Sequence, residues 1–123
     1  MPSAFISDGM TRDDVIPATK RHCELRITYR PMLREQRNRL AMQVSRLIDQ
    51  KKEVEATKIT AVELAKQLVS WDAGEGTPAV SPEAVAQLEP NLFEAVYRAV
   101  AGYDDEEIEA AGIDDREAAD VKN

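Results

Sequence analysis

Residues 23–56 read CELRITYRPMLREQRNRLAMQVSRLIDQKKEVEA, and a change of period inside them decides the fold. From Cys23 to Arg30 the side chains alternate, with Cys23, Leu25, Ile27 and Tyr29 on one side and Glu24, Arg26, Thr28 and Arg30 on the other. Successive side chains of a strand point to opposite faces, so the alternation predicts a half-buried strand. Pro31, which has no amide hydrogen to donate, ends it. Beyond it Leu33, Leu40, Val44, Leu47 and Ile48 fall on one face at helical spacing, and no Gly or Pro occurs until Gly74. That predicts a long helix with one apolar face, its other faces carrying Arg34, Arg37, Arg39, Arg46, Lys51 and Lys52. The expected class is α+β, mainly α.

Working outward toward the C-terminus, Thr60-Ala61-Val62-Glu63 has the form of a capping box, in which hydroxyl and carboxylate satisfy amides left unpaired at a helix start. It predicts a second helix running to about Trp71, with Ala61, Leu64, Leu68 and Trp71 as its buried stripe and Ala65 and Val69 beside them. Residues 72–80, DAGEGTPAV, form a linker at which the two helical halves can move. Ser81 as N-cap and Pro82 at the first helical position restart a short helix. Pro90 interrupts it, Asn91 to Glu94 repeats the cap-then-acid spacing, and Leu92, Phe93, Val96, Tyr97 and Val100 line one face until Gly102 stops the helix. The expected domain is therefore residues 1–103: a strand and loop region 1–31, a long helical region 32–71, the linker 72–80 and a helix pair 81–102, about four helices in all. Residues 104–123, which include Asp104, Asp105, Glu106, Glu107 and Glu109, are expected to be a disordered acidic tail.

Working toward the N-terminus, the strand needs a partner for its backbone groups. The choices are residues 4–7, the segment around Val15-Ile16, or a strand of another chain. Asp8-Gly9 and Pro17 are turn signals, and the first dozen residues are expected to be loosely held.

Composition narrows the function. A chain of 123 residues supports one modest core, and with 43% apolar but only 5% aromatic residues that core must be aliphatic. Cys23 is the single cysteine, so no internal disulfide forms, and no apolar run approaches the roughly 18 residues of a membrane span. The N-terminus has neither a basic start nor an apolar block, so a soluble chain in a reducing compartment, without a signal peptide, is expected. The net charge of -7 is unevenly distributed. Residues 12–52 carry eleven Lys or Arg against five Asp or Glu, whereas residues 53–123 carry five against seventeen. Such asymmetry points either to attraction between the halves or to separate partners for each.

Catalytic patterns are hard to find. His22 adjoins Cys23, but neighbours in a strand face apart and cannot share a nucleophile-base hydrogen bond. Cys23 is instead expected as a small core residue and His22 as a solvated one. No Cys/His set has zinc spacing, the Gly-Glu-Gly of the linker is too short for a phosphate loop, and the acidic run lacks the oxygens and central glycine of a calcium loop. A non-enzyme without metal or cofactor is expected. The partner-binding candidates are Trp71, Leu92, Phe93, Val96, Tyr97 and Val100, although the same spacing is the ordinary mark of a core face. Arg34, Arg37, Arg39 and Arg46 are the alternative, a basic patch for nucleic acid. Against that stand the acidic chain, the scatter of these charges around several faces and the lack of interleaved aromatics.

Four quoted stretches together carry a resemblance: ELRITYRPM, the helical middle ending Leu68-Val69-Ser70-Trp71, a Gly/Pro turn before Val80-Ser81-Pro82-Glu83, and Leu88-x-Pro90-x-Leu92-Phe93-x-Ala95-Val96, with an acidic tail after them. From about Leu25 to Gly102 the chain is similar to the small tail assembly chaperones of long-tailed bacteriophages. The resemblance implies a non-enzymatic protein of the host cytoplasm that binds the tape-measure protein, brings tail-tube subunits to it, and is absent from the finished virion. It also implies that a frameshift-extended form often exists. On that basis the apolar surfaces around Trp71 and from Leu92 to Val100 would mask apolar helices of the tape measure, with the acidic tail keeping the complex soluble. Two other readings stay open: a nucleic-acid-binding regulator using the Arg-rich helix, and a structural tail or connector subunit whose N-terminal strand completes a neighbour's sheet. Homo-oligomerisation is compatible with each.

Overall fold

A computed structural model describes residues 9–103; the acidic segment 104–123 and the strand-partner candidate 4–7 lie outside them. In chain order the elements are β1 (Arg12–Ile16), β2 (Leu25–Tyr29), α1 (Arg34–Asp49), α2 (Glu53–Gln67), β3 (Leu68–Asp72), α3 (Pro82–Ala86) and α4 (Pro90–Ala101). The described residues thus form a mainly helical α+β fold with four helices and a three-stranded antiparallel sheet in the order β1-β2-β3.

The alternating stretch is the central strand. Leu25, Ile27 and Tyr29 are buried, while Arg26 is exposed. The Val15-Ile16 segment supplies one partner, pairing Ile16 with Leu25 and Val15 with Arg26. On the solvent face of this pair the Thr28 hydroxyl donates to Asp13 Oδ1 at 2.7 Å. Cys23 precedes the strand and is exposed rather than a core residue, because β2 begins only at Leu25 and the inward alternation starts there. The half-buried His22 donates from Nδ1 to the Cys23 carbonyl at 2.8 Å.

The other partner of β2 corrects an expectation. Residues 68–71 do not end a helix; they form β3, pairing Trp71 with Ile27 and Ser70 with Thr28. The physical reason is the free edge of β2. With a helix there, its amides and carbonyls would have no partner, and Val69 and Trp71 suit an extended backbone. Gln67 marks the switch: its carbonyl accepts from the Arg30 amide at 2.8 Å and its side-chain amide donates to the Arg30 carbonyl at 2.7 Å. Leu68 remains buried, as the stripe requires, but Val69 is 48% exposed.

The long helix is also interrupted, without Gly or Pro. Lys51 takes a left-handed backbone with φ 60°. Its amide donates to the Ile48 carbonyl at 2.9 Å and the Lys52 amide to the Leu47 carbonyl at 2.8 Å. These are the two bonds of a Schellman terminator, so α1 stops with its last carbonyls satisfied and α2 turns back as a hairpin. α2 therefore starts seven residues before the expected capping box. Thr60 lies inside α2 and donates its hydroxyl to the Ala56 carbonyl at 2.9 Å, and Glu63 pairs with Lys66 at 3.2 Å. Of the expected α1 stripe, Leu40 is buried and Val44 and Leu47 are half-buried, whereas Leu33 and Ile48 are exposed.

The last two helices follow the punctuation closely. Ser81 caps α3, its hydroxyl accepting from the Ala84 amide at 3.0 Å. α4 is capped two residues earlier than expected: Pro90 is already preset for the first helical position, so Glu89 rather than Asn91 is the cap. Its Oε1 accepts from the amides of Asn91 at 2.9 Å and Leu92 at 3.1 Å. Gly102, at φ 88°, closes the helix. Leu25, Ile27, Leu40, Leu64, Val85, Val96 and Val100 meet in one core drawn from the sheet and all four helices.

Candidate partner-binding groove

The six apolar candidates separate in space. Leu92, Val96 and Val100 are 5%, 0% and 0% exposed, so they belong to the core and offer a partner no surface. The core needs them because α4 lays that stripe against the rest of the fold. Phe93 and Tyr97, one position along from Leu92 and Val96, are half-buried and face outward into a groove. Trp71 is elsewhere, on β3. Its indole Nε1 donates to the Pro78 carbonyl at 2.6 Å, which pins the linker over a separate hollow of about 300 Å³ beside Leu25 and Leu88. The linker is further tied down by the Thr77 hydroxyl, which accepts from the Ala73 amide at 3.0 Å, and by Asp72 Oδ1, which accepts from the Gly74 amide at 2.8 Å.

The groove holds about 540 Å³ and opens between three helices. α1 contributes Ala41, Val44, Ser45 and Ile48, α2 contributes Glu53, Ala56, Thr57 and Thr60, and α4 contributes Phe93, Glu94 and Tyr97. Space exists there because Ala41, Ser45, Ala56, Thr57 and Thr60 are small where the hairpin faces α4. Thr60 commits its hydroxyl to its own helix, so it adds no unsatisfied polar group to the wall. Sequence reasoning found Phe93 and Tyr97 and missed the α1 and α2 walls. The available signal was the spacing of four in Ala41 and Ser45, Val44 and Ile48, and Ala56 and Thr60.

At one end of the groove an Arg and two Tyr join α1 to α4. Arg37 lies 4.5 Å from the centroid of the Tyr103 ring and donates from Nη1 to the Ala101 carbonyl at 3.4 Å. The cation thus meets both an aromatic face and the negative end of α4. The Tyr103 ring is 5.9 Å from that of Tyr97. Burial, then Tyr103 and the Glu94 carboxylate, pushes the Tyr97 hydroxyl up to about 12, Arg37 acting in the opposite direction. At neutral pH the groove therefore presents a neutral phenol.

The basic candidates do not share one role. Arg37 is half-buried against α4, Arg39 Nη2 pairs with Glu35 Oε1 at 3.2 Å, and Arg34 and Arg46 are exposed. Among the described residues no group of three or more His, Cys, Asp or Glu converges as a metal site, and no helix is long and apolar enough to cross a membrane. Compared with family models, curated proteins and solved structures, the chain matches none.

Proposed function

We propose that this chain is a non-enzymatic tail assembly chaperone of a long-tailed bacteriophage, acting in the host cytoplasm, that holds an apolar helix of the tape-measure protein and recruits tail-tube subunits to it. The observation that carries the reading is the open groove between α1, α2 and α4, whose walls include Val44, Ile48, Ala56 and Phe93. Helix-in-groove recognition needs an apolar trough between packed helices, with side chains already held in place. Here the trough is floored by a helix whose inner face is locked in the core and whose outer face supplies Phe93 and Tyr97.

Co-expression with a tape-measure protein, sought as a long helical protein from a neighbouring reading frame, tests the reading. Copurification of the two is expected at low and moderate salt. Ile48→Asp, at a groove position 48% exposed, is expected to abolish it while leaving the far-ultraviolet circular dichroism unchanged. Failure to copurify at low salt, or full retention by Ile48→Asp, would sink the proposal.

A further inference from the structure

The groove is apolar along its walls, but its charged lining is of one sign. Among the described residues, Glu53, at the start of α2, and Glu94, in α4, are the only charged ones in its lining, and both are exposed. The bases of the hairpin, Arg46, Lys51 and Lys52 among them, are absent from the lining. Glu94 shares the α4 wall of the groove with Phe93 and Tyr97.

Resting on the groove-docking reading above, we infer that the groove selects an amphipathic helix whose apolar face is flanked by Lys or Arg, with the cations meeting Glu53 and Glu94. The apolar face fills the trough and the flanking cations fix its register. Charge complementarity of this kind discriminates between partners more than it adds raw affinity. It also disfavours the chain's own C-terminal residues as occupant, because residues 104–123 carry nine acids and two bases. A helix with acidic flanks would meet like charge at both carboxylates, a repulsion that falls away with salt.

Two labelled peptides of about 20 residues, each a helix of roughly 30 Å, test this with the full chain. They share one apolar face and differ only in flanking Lys or Glu. By fluorescence anisotropy the Lys peptide is expected to bind about tenfold more tightly at low salt, the scale set by two exposed ion pairs. Glu53→Lys with Glu94→Lys is expected to reverse the preference, with the circular dichroism unchanged. If neither peptide binds, groove docking itself fails and the inference falls with it. Equal binding of both leaves groove docking intact and overturns the charge selection alone. A Lys preference that survives the double reversal overturns it too, since the attraction then arises elsewhere on the acidic chain. A dimer, seen by sedimentation and lost in the double variant, would assign the groove to a second copy and overturn it likewise.

Discussion

Tyr97 works on both sides of α4's outer surface: its ring walls the groove, and its hydroxyl belongs to the cluster that ties α4 to α1. Because burial and the neighbouring Tyr103 and Glu94 hold its ionisation at about 12, above the roughly 10 of a free tyrosine, the neutral form is favoured in the folded state. The sign of the linkage follows. The contribution is complete below pH 10, where both states are protonated, and is lost as pH rises from about 10 to about 12 and the unfolded chain ionises first. Tyr29 is shifted the same way, by burial and then by Asp14, so it adds to the same alkaline loss. Titration of tyrosinate absorbance is expected to show a late component near pH 12 that disappears in Tyr97→Phe, whose stability should fall less steeply above pH 10. An unshifted titration in the native protein would contradict the burial of this hydroxyl. Arg37 illustrates the same point from the other partner. Read as one of four surface cations, it instead covers an aromatic ring and bonds the Ala101 carbonyl at the end of α4.

Elements were legible where their signals are local. The alternation from Leu25 to Tyr29, the Ser81-Pro82 start and the Gly102 stop depend on adjacent side chains and backbone groups, and each lies where its pattern places it, although the strand does not extend back to Cys23. Two features were illegible, one because a long-range partner decides it and one because its local mark is missing. β3 exists because β2 has a second edge to satisfy, and the strand preference of Val69 and Trp71 does not by itself outweigh the helical spacing that runs into them. The turn between α1 and α2 lacks the residue that normally marks it, since a lysine occupies the left-handed position usually given to glycine. The groove was missed for the same reason, as two of its three walls belong to a hairpin whose turn carries no sequence mark. A side chain at that position costs about 1 kcal/mol. Lys51→Gly is therefore expected to stabilise the protein by roughly that amount in urea denaturation, without altering the helix content. A loss of stability would mean that the lysine side chain contributes more than its backbone strain removes.

At the scale of the molecule, the sheet and the helices share one core rather than two. Leu64, fully buried in α2, belongs to the same cluster as Leu25 and Ile27 of β2 and Val96 and Val100 of α4. Such an arrangement should unfold as one unit, because no element can leave without exposing side chains that the others cover. The linker expected to let two halves move is instead pinned, by Trp71 to Pro78 and by the turn through Thr77. The molecule supplies its own probes. Trp71, the single tryptophan, reports on β3 and the linker, while circular dichroism at 222 nm reports on the helices. The two unfolding curves are expected to coincide. Leu64→Ala should move both together, lowering stability by about 2–5 kcal/mol through the lost burial and the cavity left behind. If the tryptophan signal changed first while the helical signal held, the sheet would be a separate unit docked on the bundle. The groove would then be framed by a three-helix body able to change shape when the sheet lets go.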